Sequence, residues 1–203
     1  HDEFSANTLG QLTGAVDGLS VLSEPGHAVV VEADRGRGKT AAAGLAAASL
    51  AAAGDDVLVT APAFENTEPL FDRAEELLET LGELSNGLDT SKIKSIETAS
   101  GGSIRFSRPP VAVDHAAEVD VVIVDEAAAI PVDLLGAFLA APSVAFCTTV
   151  HGYEGTGRGF AVRFRQRLAA SDTSLTEIEL DEPIRYARGD PVESWLFRTL
   201  LLD

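Results

Sequence analysis

Methionine is absent from all 203 residues and cysteine occurs once, at Cys147. A single thiol cannot close an internal disulfide and offers no thiolate cluster to a metal. Long apolar runs are missing too. The Ala-rich stretch 41–53 is interrupted by Gly44 and Ser49 and ends in Gly54-Asp55-Asp56, short of the roughly 18–20 residues a membrane span needs. No basic segment followed by an apolar core opens the chain, so no secretory signal is read and a cytoplasmic location is expected. A chain that begins at His1 and lacks methionine reads as a piece of a longer polypeptide.

Positive charge is the other scarcity. Lysine occurs only at Lys39, Lys92 and Lys94, and Lys+Arg total 15 against 32 Asp+Glu, for a formal net charge of −17. Such a balance ordinarily speaks against nucleic acid, whose phosphates call for Lys and Arg. Here the acids are dispersed along the chain instead of forming an acidic tail. That is the pattern of a protein kept soluble in a salt-accumulating cell, so the charge reports the surroundings and leaves an RNA partner open.

What the chain does contain is a strand that delivers a phosphate-binding loop, Val29-Val30-Val31-Glu32-Ala33-Asp34-Arg35-Gly36-Arg37-Gly38-Lys39-Thr40. Gly36 and Gly38 remove side chains so that successive backbone N–H groups turn inward, toward the positive end of the helix that follows. Lys39 reaches the β- and γ-phosphates as a point charge. The Thr40 hydroxyl, one residue on, suits a magnesium ligand. Ala33 stands where the loop pattern has its first glycine, and alanine is the smallest replacement.

Hydrophobic spacing predicts an amphipathic helix over 8–22, strands over 28–33 and 57–60, and helices over 39–53 and 65–81. Region 82–110 is punctuated by Gly87, Gly101-Gly102 and Pro109-Pro110, with short strands read at 94–98 and 104–106, the signature of a β-hairpin insertion. A buried strand follows at 119–124. Next come a helix at 131–139, a strand at 143–149, a helix at 159–169, a strand at 174–180 and a helix at 191–202. Alternation at this spacing predicts one α/β domain over 1–203, a doubly wound, mostly parallel sheet of the RecA-like P-loop NTPase kind.

Val121-Val122-Ile123-Val124-Asp125-Glu126 supplies the second half of the nucleotide site. An acid directly after a buried strand puts Asp125 at the carboxyl end of the sheet, beside the magnesium position, with Glu126 in reach of a water attacking the γ-phosphate as a general base. Thr148 and Thr149 end the next strand, where polar groups can sense the γ-phosphate. In the glycine-rich loop beyond them, Arg158 is a candidate for relaying the phosphate state, and His151 is given no role. Arg185 follows the last strand and can reach back as a finger supplied in cis. Phe160, Phe164 and Leu168 form an apolar stripe, with Arg163 and Arg167 on an adjoining face. That face reads equally as a contact for an RNA backbone or as a helix surface neutralised by carboxylates.

Taken together, the loop from Ala33 to Thr40, Val124-Asp125-Glu126-Ala127-Ala128, Gly152-Tyr153-Glu154-Gly155-Thr156-Gly157-Arg158-Gly159-Phe160 and Glu182-Pro183-Ile184-Arg185-Tyr186 resemble the helicase-like module of the tRNA(Met) cytidine acetyltransferase family. The resemblance covers nearly the whole chain. It implies a RecA-like ATPase domain beside a separate acetyltransferase domain, in an enzyme that uses ATP and acetyl-CoA to acetylate the exocyclic amine of cytidine in tRNA. It further implies nucleotide contacts at Gln11, Ala33, Asp34, Arg35, Gly36, Arg37, Gly38, Lys39, Thr40, Ala41, Ala42 and Arg185. Mg2+ would lie at Thr40 and Asp125. No acetyl-CoA-binding motif is found, and the expected role is ATP-driven remodelling or delivery of RNA. The competing readings are a stand-alone nucleic-acid-stimulated ATPase or helicase and a regulatory module that binds ATP without hydrolysing it.

Overall fold

The computed structural model describes residues 14–33, 37–89, 95–149, 164–171 and 173–180. Its eight strands form one sheet in the order β3-β4-β5-β2-β6-β7-β1-β8. They are β1 (His27–Ala33), β2 (Asp56–Thr60), β3 (Leu84–Asp89), β4 (Ser95–Thr98), β5 (Ser103–Phe106), β6 (Val121–Val124), β7 (Ser143–Thr148) and β8 (Ser174–Leu180). All pairings from β5 across to β8 are parallel, while β3–β4 and β4–β5 are antiparallel. The doubly wound, mostly parallel α/β fold expected from the alternation is what forms.

Period-two alternation sorts the strand residues between two cores. Val29, Val31 and Ala33 of β1 face the layer of α1 (residues 14–20), α2 (Lys39–Ala52) and α3 (Glu68–Leu81). Ala28 and Val30 face α4 (Pro109–His115), α5 (Val132–Ala137) and α6 (residues 164–169). Helix α2 is apolar nearly all round because it is buried nearly all round, from Lys39 to Ala51. Its alanines let it lie close to the sheet. At Gly44 even a methyl group would stand 2.5 Å from the Leu70 carbonyl of α3.

Local boundaries differ from the sequence reading in several places. The 82–110 region holds three strands where two were read; β3–β4 and β4–β5 pair antiparallel, as in a hairpin, and β5 pairs parallel with β2, which joins them to the main sheet. Strand β3 escaped prediction because its Ser, Asn, Gly and Asp carry little β-propensity; pairing to β4 supplies what composition does not. Pro109-Pro110 opens α4 rather than marking a loop, since proline at the first helical positions forfeits no hydrogen bond. Helix α3 starts later than read, after a separate 3-10 turn at Phe64–Asn66, and α5 passes into a 3-10 turn at Phe138–Ala140. The predicted helix at 191–202, residues 8–13 of the first helix and residues 159–163 of the sixth lie outside the described residues.

Candidate nucleotide site

Strands β1 and β6 are separated by β7 alone, so the residues leaving their carboxyl ends meet over one edge of the sheet. Gly38 caps α2 with φ 82°, a left-handed conformation that glycine adopts without strain, and its carbonyl accepts the Ala42 N–H at 2.8 Å. Lys39 and Thr40 then occupy the first turn of the helix, followed by Ala41 and Ala42, both buried. Ala33 is the last residue of β1 and Arg37 is half-buried beside the turn.

The two halves of the site touch. Thr40 Oγ1 donates to Asp125 Oδ2 at 3.1 Å. The Lys39 ammonium lies 3.9 Å from Asp125 Oδ1, 3.6 Å from Glu126 Oε1 and 3.4 Å from Thr149 Oγ1. Asp125 is wholly buried, and its Oδ1 also accepts the Glu126 N–H at 2.9 Å. Burial raises the Asp125 pKa above its ordinary value, with Lys39, the Glu126 N–H and Thr40 pulling the other way. Here desolvation, with the nearby Glu126 charge acting in the same direction, outweighs the three favourable contacts.

Glu126 is the one non-glycine residue with positive φ among the described residues, at φ 51° and ψ 41°. A side chain in this region costs on the order of 1–2 kcal/mol. Such strain is retained where position matters more than stability. Sequence reasoning had no means to see it, because the conformation is imposed by the turn between β6 and the 3-10 turn Ala127–Ala129.

Two further groups were not foreseen as neighbours of the site. Cys147, read only for what it excludes, is fully buried in β7; desolvation first, then Asp125, pushes its thiol pKa well above the ordinary value. Thr60 ends β2, where its carbonyl accepts the Asp125 N–H at 2.8 Å while its buried hydroxyl has no hydrogen-bond partner among the described residues. Of the expected site residues, the structure brings together Lys39, Thr40, Asp125 and Glu126. Gln11, Asp34, Arg35, Gly36, Arg158 and Arg185 lie outside the described residues, as do Arg163 and His151.

On α6, Phe164 and Leu168 are buried as the stripe required, and the Phe164 ring meets Phe146 edge-on at 4.7 Å. The basic face is neutralised where it is described. Arg167 binds Asp133 at 2.6 Å, and Arg165 binds Glu32 at 2.9 Å with Glu177 at 3.6 Å.

Comparison with known proteins decides the family. The model for "RNA cytidine acetyltransferase NAT10/TcmA, helicase domain" matches residues 30–203. The chain belongs to this family. It is 60% identical over 189 residues to the tRNA(Met) cytidine acetyltransferase TmcA of Haloferax volcanii, covering 93% of this chain and 25% of that protein. The TmcA of Haloarcula marismortui is 53% identical over 189 residues, covering 93% and 24%. That of Pyrococcus abyssi is 41% identical over 198 residues, covering 94% and 24%. The chain thus spans about a quarter of the length of these relatives. Among solved structures, the Pif1 helicase of Candida albicans aligns with a TM-score of 0.46 at 14% identity, covering 94% of this chain and 42% of that one. The large terminase ATPase domain of Thermus phage P74-26 aligns with a TM-score of 0.47 at 20% identity, covering 64% and 62%. For this helicase-domain family member, Lys39, Thr40, Asp125 and Glu126 all fall inside the matched residues.

Proposed function

We infer that this chain is the ATP-binding and hydrolysing module of an RNA cytidine acetyltransferase that acts on tRNA. Hydrolysis here would remodel or deliver the RNA to an acetyltransferase domain of the parent protein, where acetyl-CoA is bound. The carrying observation is the contact of Thr40 with Asp125 next to a lysine that both Asp125 and Glu126 attract. A hydroxyl beside a buried carboxylate is a pair of hard oxygen donors, the kind Mg2+ accepts while keeping most of its waters. Bound there, Mg2+ would neutralise charge on the β- and γ-phosphates.

The chain's own residues divide the remaining work. Backbone N–H groups of the loop from Ala33 to Gly38, with Asp34, Arg35, Gly36 and Arg37, would cradle the phosphates. Lys39 would leave its carboxylate partners for the β- and γ-phosphate oxygens, which frees Glu126. Glu126 would then orient a water and take its proton as the water oxygen bonds to the γ-phosphorus and the bond to the β-γ bridging oxygen breaks, with ADP leaving. Gln11 would contact the adenine edge, Arg185 would act as a finger in cis, and Arg158 would relay the phosphate state. A cytoplasmic, high-salt setting accords with the dispersed acidic charge.

The test is steady-state ATP hydrolysis in molar potassium chloride, with and without tRNA. Turnover is expected, raised by tRNA, and Glu126→Gln should lower kcat by about 10²–10⁴-fold while ATP still binds. Equal turnover by Glu126→Gln would remove the proposed base. Binding without turnover in the unsubstituted protein would leave a regulatory nucleotide-binding module.

A further inference from the structure

The chain carries 32 acids against 15 Lys+Arg, and most of the described cations have a carboxylate partner. Among the described residues Lys39, Arg73, Arg165 and Arg167 all have acidic partners, and Arg37 is engaged as well. Arg105 and Arg108 stand apart: neither makes a hydrogen bond or ion pair with any described residue. Arg105 is half-buried and Arg108 is exposed.

Their place in the fold is specific. Arg105 lies in β5, opposite Leu58 of β2, and Arg108 leaves the carboxyl end of the same strand as the residue that caps α4. That is the sheet edge from which Lys39 and Asp125 emerge. Strand β2 lies between β5 and β6, so the lateral distance from Arg108's strand to Asp125's is roughly 10 Å. The connection is also direct through the backbone: Ser107 N donates to the Val59 carbonyl and Asp125 N to the Thr60 carbonyl. Asp125 itself and Ser107, the residue before Arg108, therefore hang from consecutive carbonyls of one strand.

We propose that Arg105 and Arg108 form a phosphate-contacting surface for RNA, continuous with the nucleotide edge of the sheet. The inference rests on the RNA reading of the proposed function. A polyanion is the occupant whose charge complements two unpaired guanidinium groups on an otherwise acidic chain. Arginine suits the task at high ionic strength. In molar salt the screening length is about 3 Å, so long-range attraction is lost and direct bidentate contact with phosphate oxygens remains. Arg167, by contrast, already has a carboxylate partner in Asp133, and Arg163 of the same face lies outside the described residues.

The test uses the full-length protein carrying this domain, with Arg105→Gln, Arg108→Gln, the double variant and Arg108→Lys. Binding of single-stranded RNA and of tRNA is titrated over a potassium chloride series beside ATP hydrolysis. The double variant should lower the slope of log K against log salt by about 1–1.5, the share of two single-strand phosphate contacts. It should also reduce RNA-stimulated hydrolysis with the RNA-free rate unchanged, and Arg108→Lys should recover only part of the affinity, because an ammonium cannot make the bidentate contact. Unchanged affinity and slope in the double variant, with hydrolysis still stimulated by RNA, would overturn the surface and leave the proposed function standing. RNA binding weakened as predicted in a protein that hydrolyses no ATP would uphold the surface and sink the ATPase reading. Intact RNA binding with new proteolytic cleavage between domains would assign the arginines to a carboxylate surface of another domain and overturn the proposal. The Arg108→Gln single variant, exposed and without a partner, supplies the slope should the double variant fail to fold.

Discussion

Asp125 concentrates the conflict between stability and use at a single residue. Its folded pKa is raised above the ordinary 3.8, chiefly by burial, so the folded chain holds this proton to higher pH than the unfolded chain does. The contribution to stability is therefore fully present below the unfolded pKa and is lost as pH rises through the raised folded value. Asp125→Asn has no such proton to lose. The difference in melting temperature between the two proteins should consequently change with pH above about 4, the substituted protein gaining relative to the unsubstituted one as pH rises. A difference curve flat across that window would show that Lys39 and Thr40 fully offset the burial. Mg2+ with ATP, which favours the ionised carboxylate, should reverse the sign. Sequence pattern was enough to single out Asp125 and Glu126, because an acid after a buried strand has a fixed place at the sheet's edge. It could not show the left-handed Glu126 backbone or the orphaned Thr60 hydroxyl, both set by non-local neighbours.

Helix α2 carries the loop's lysine and threonine, so its seating against α3 bears on the site. A β-carbon at Gly44 would stand 2.5 Å from the Leu70 carbonyl and 3.1 Å from the Arg73 Cβ. Alanine gains about 1 kcal/mol of intrinsic helix propensity over glycine. Overpacking costs about 1–3 kcal/mol, and a clash with backbone carbonyl lies toward the upper end because the carbonyl cannot rotate away as a side chain can. Gly44→Ala should thus destabilise the protein, seen as a lower urea midpoint with an unchanged slope. A raised midpoint would show that the two helices separate freely. At this scale the long, strongly periodic elements were legible in the sequence. The short polar strand β3 and the proline-led α4 were not, because pairing partners and the N-terminal position of the prolines determine them.

Across the whole molecule, ATP would join the carboxyl ends of β1 and β6, which the free protein links through Thr40, Lys39 and their acids. A ligand that binds only the folded state at 100 times its Kd adds about 2.7 kcal/mol to stability. Mg2+ and ATP should therefore raise the thermal midpoint by several degrees, and Lys39→Ala should abolish most of that rise. A midpoint indifferent to nucleotide in the unsubstituted protein would count against nucleotide binding altogether.

The sequence by itself determined the alternation of strands and helices, the candidate residues Lys39, Thr40, Asp125 and Glu126, and the family, because these are carried by contiguous residues with a fixed local geometry. Only the tertiary structure decided which cations are spent. Arg165 and Arg167 meet carboxylates brought from β1, β8 and the start of α5, whereas Arg105 within β5 and Arg108 beyond its carboxyl end make no ion pair with any described residue. Ion pairing depends on side chains distant in sequence coming within about 4 Å, and neither composition nor periodicity records that distance.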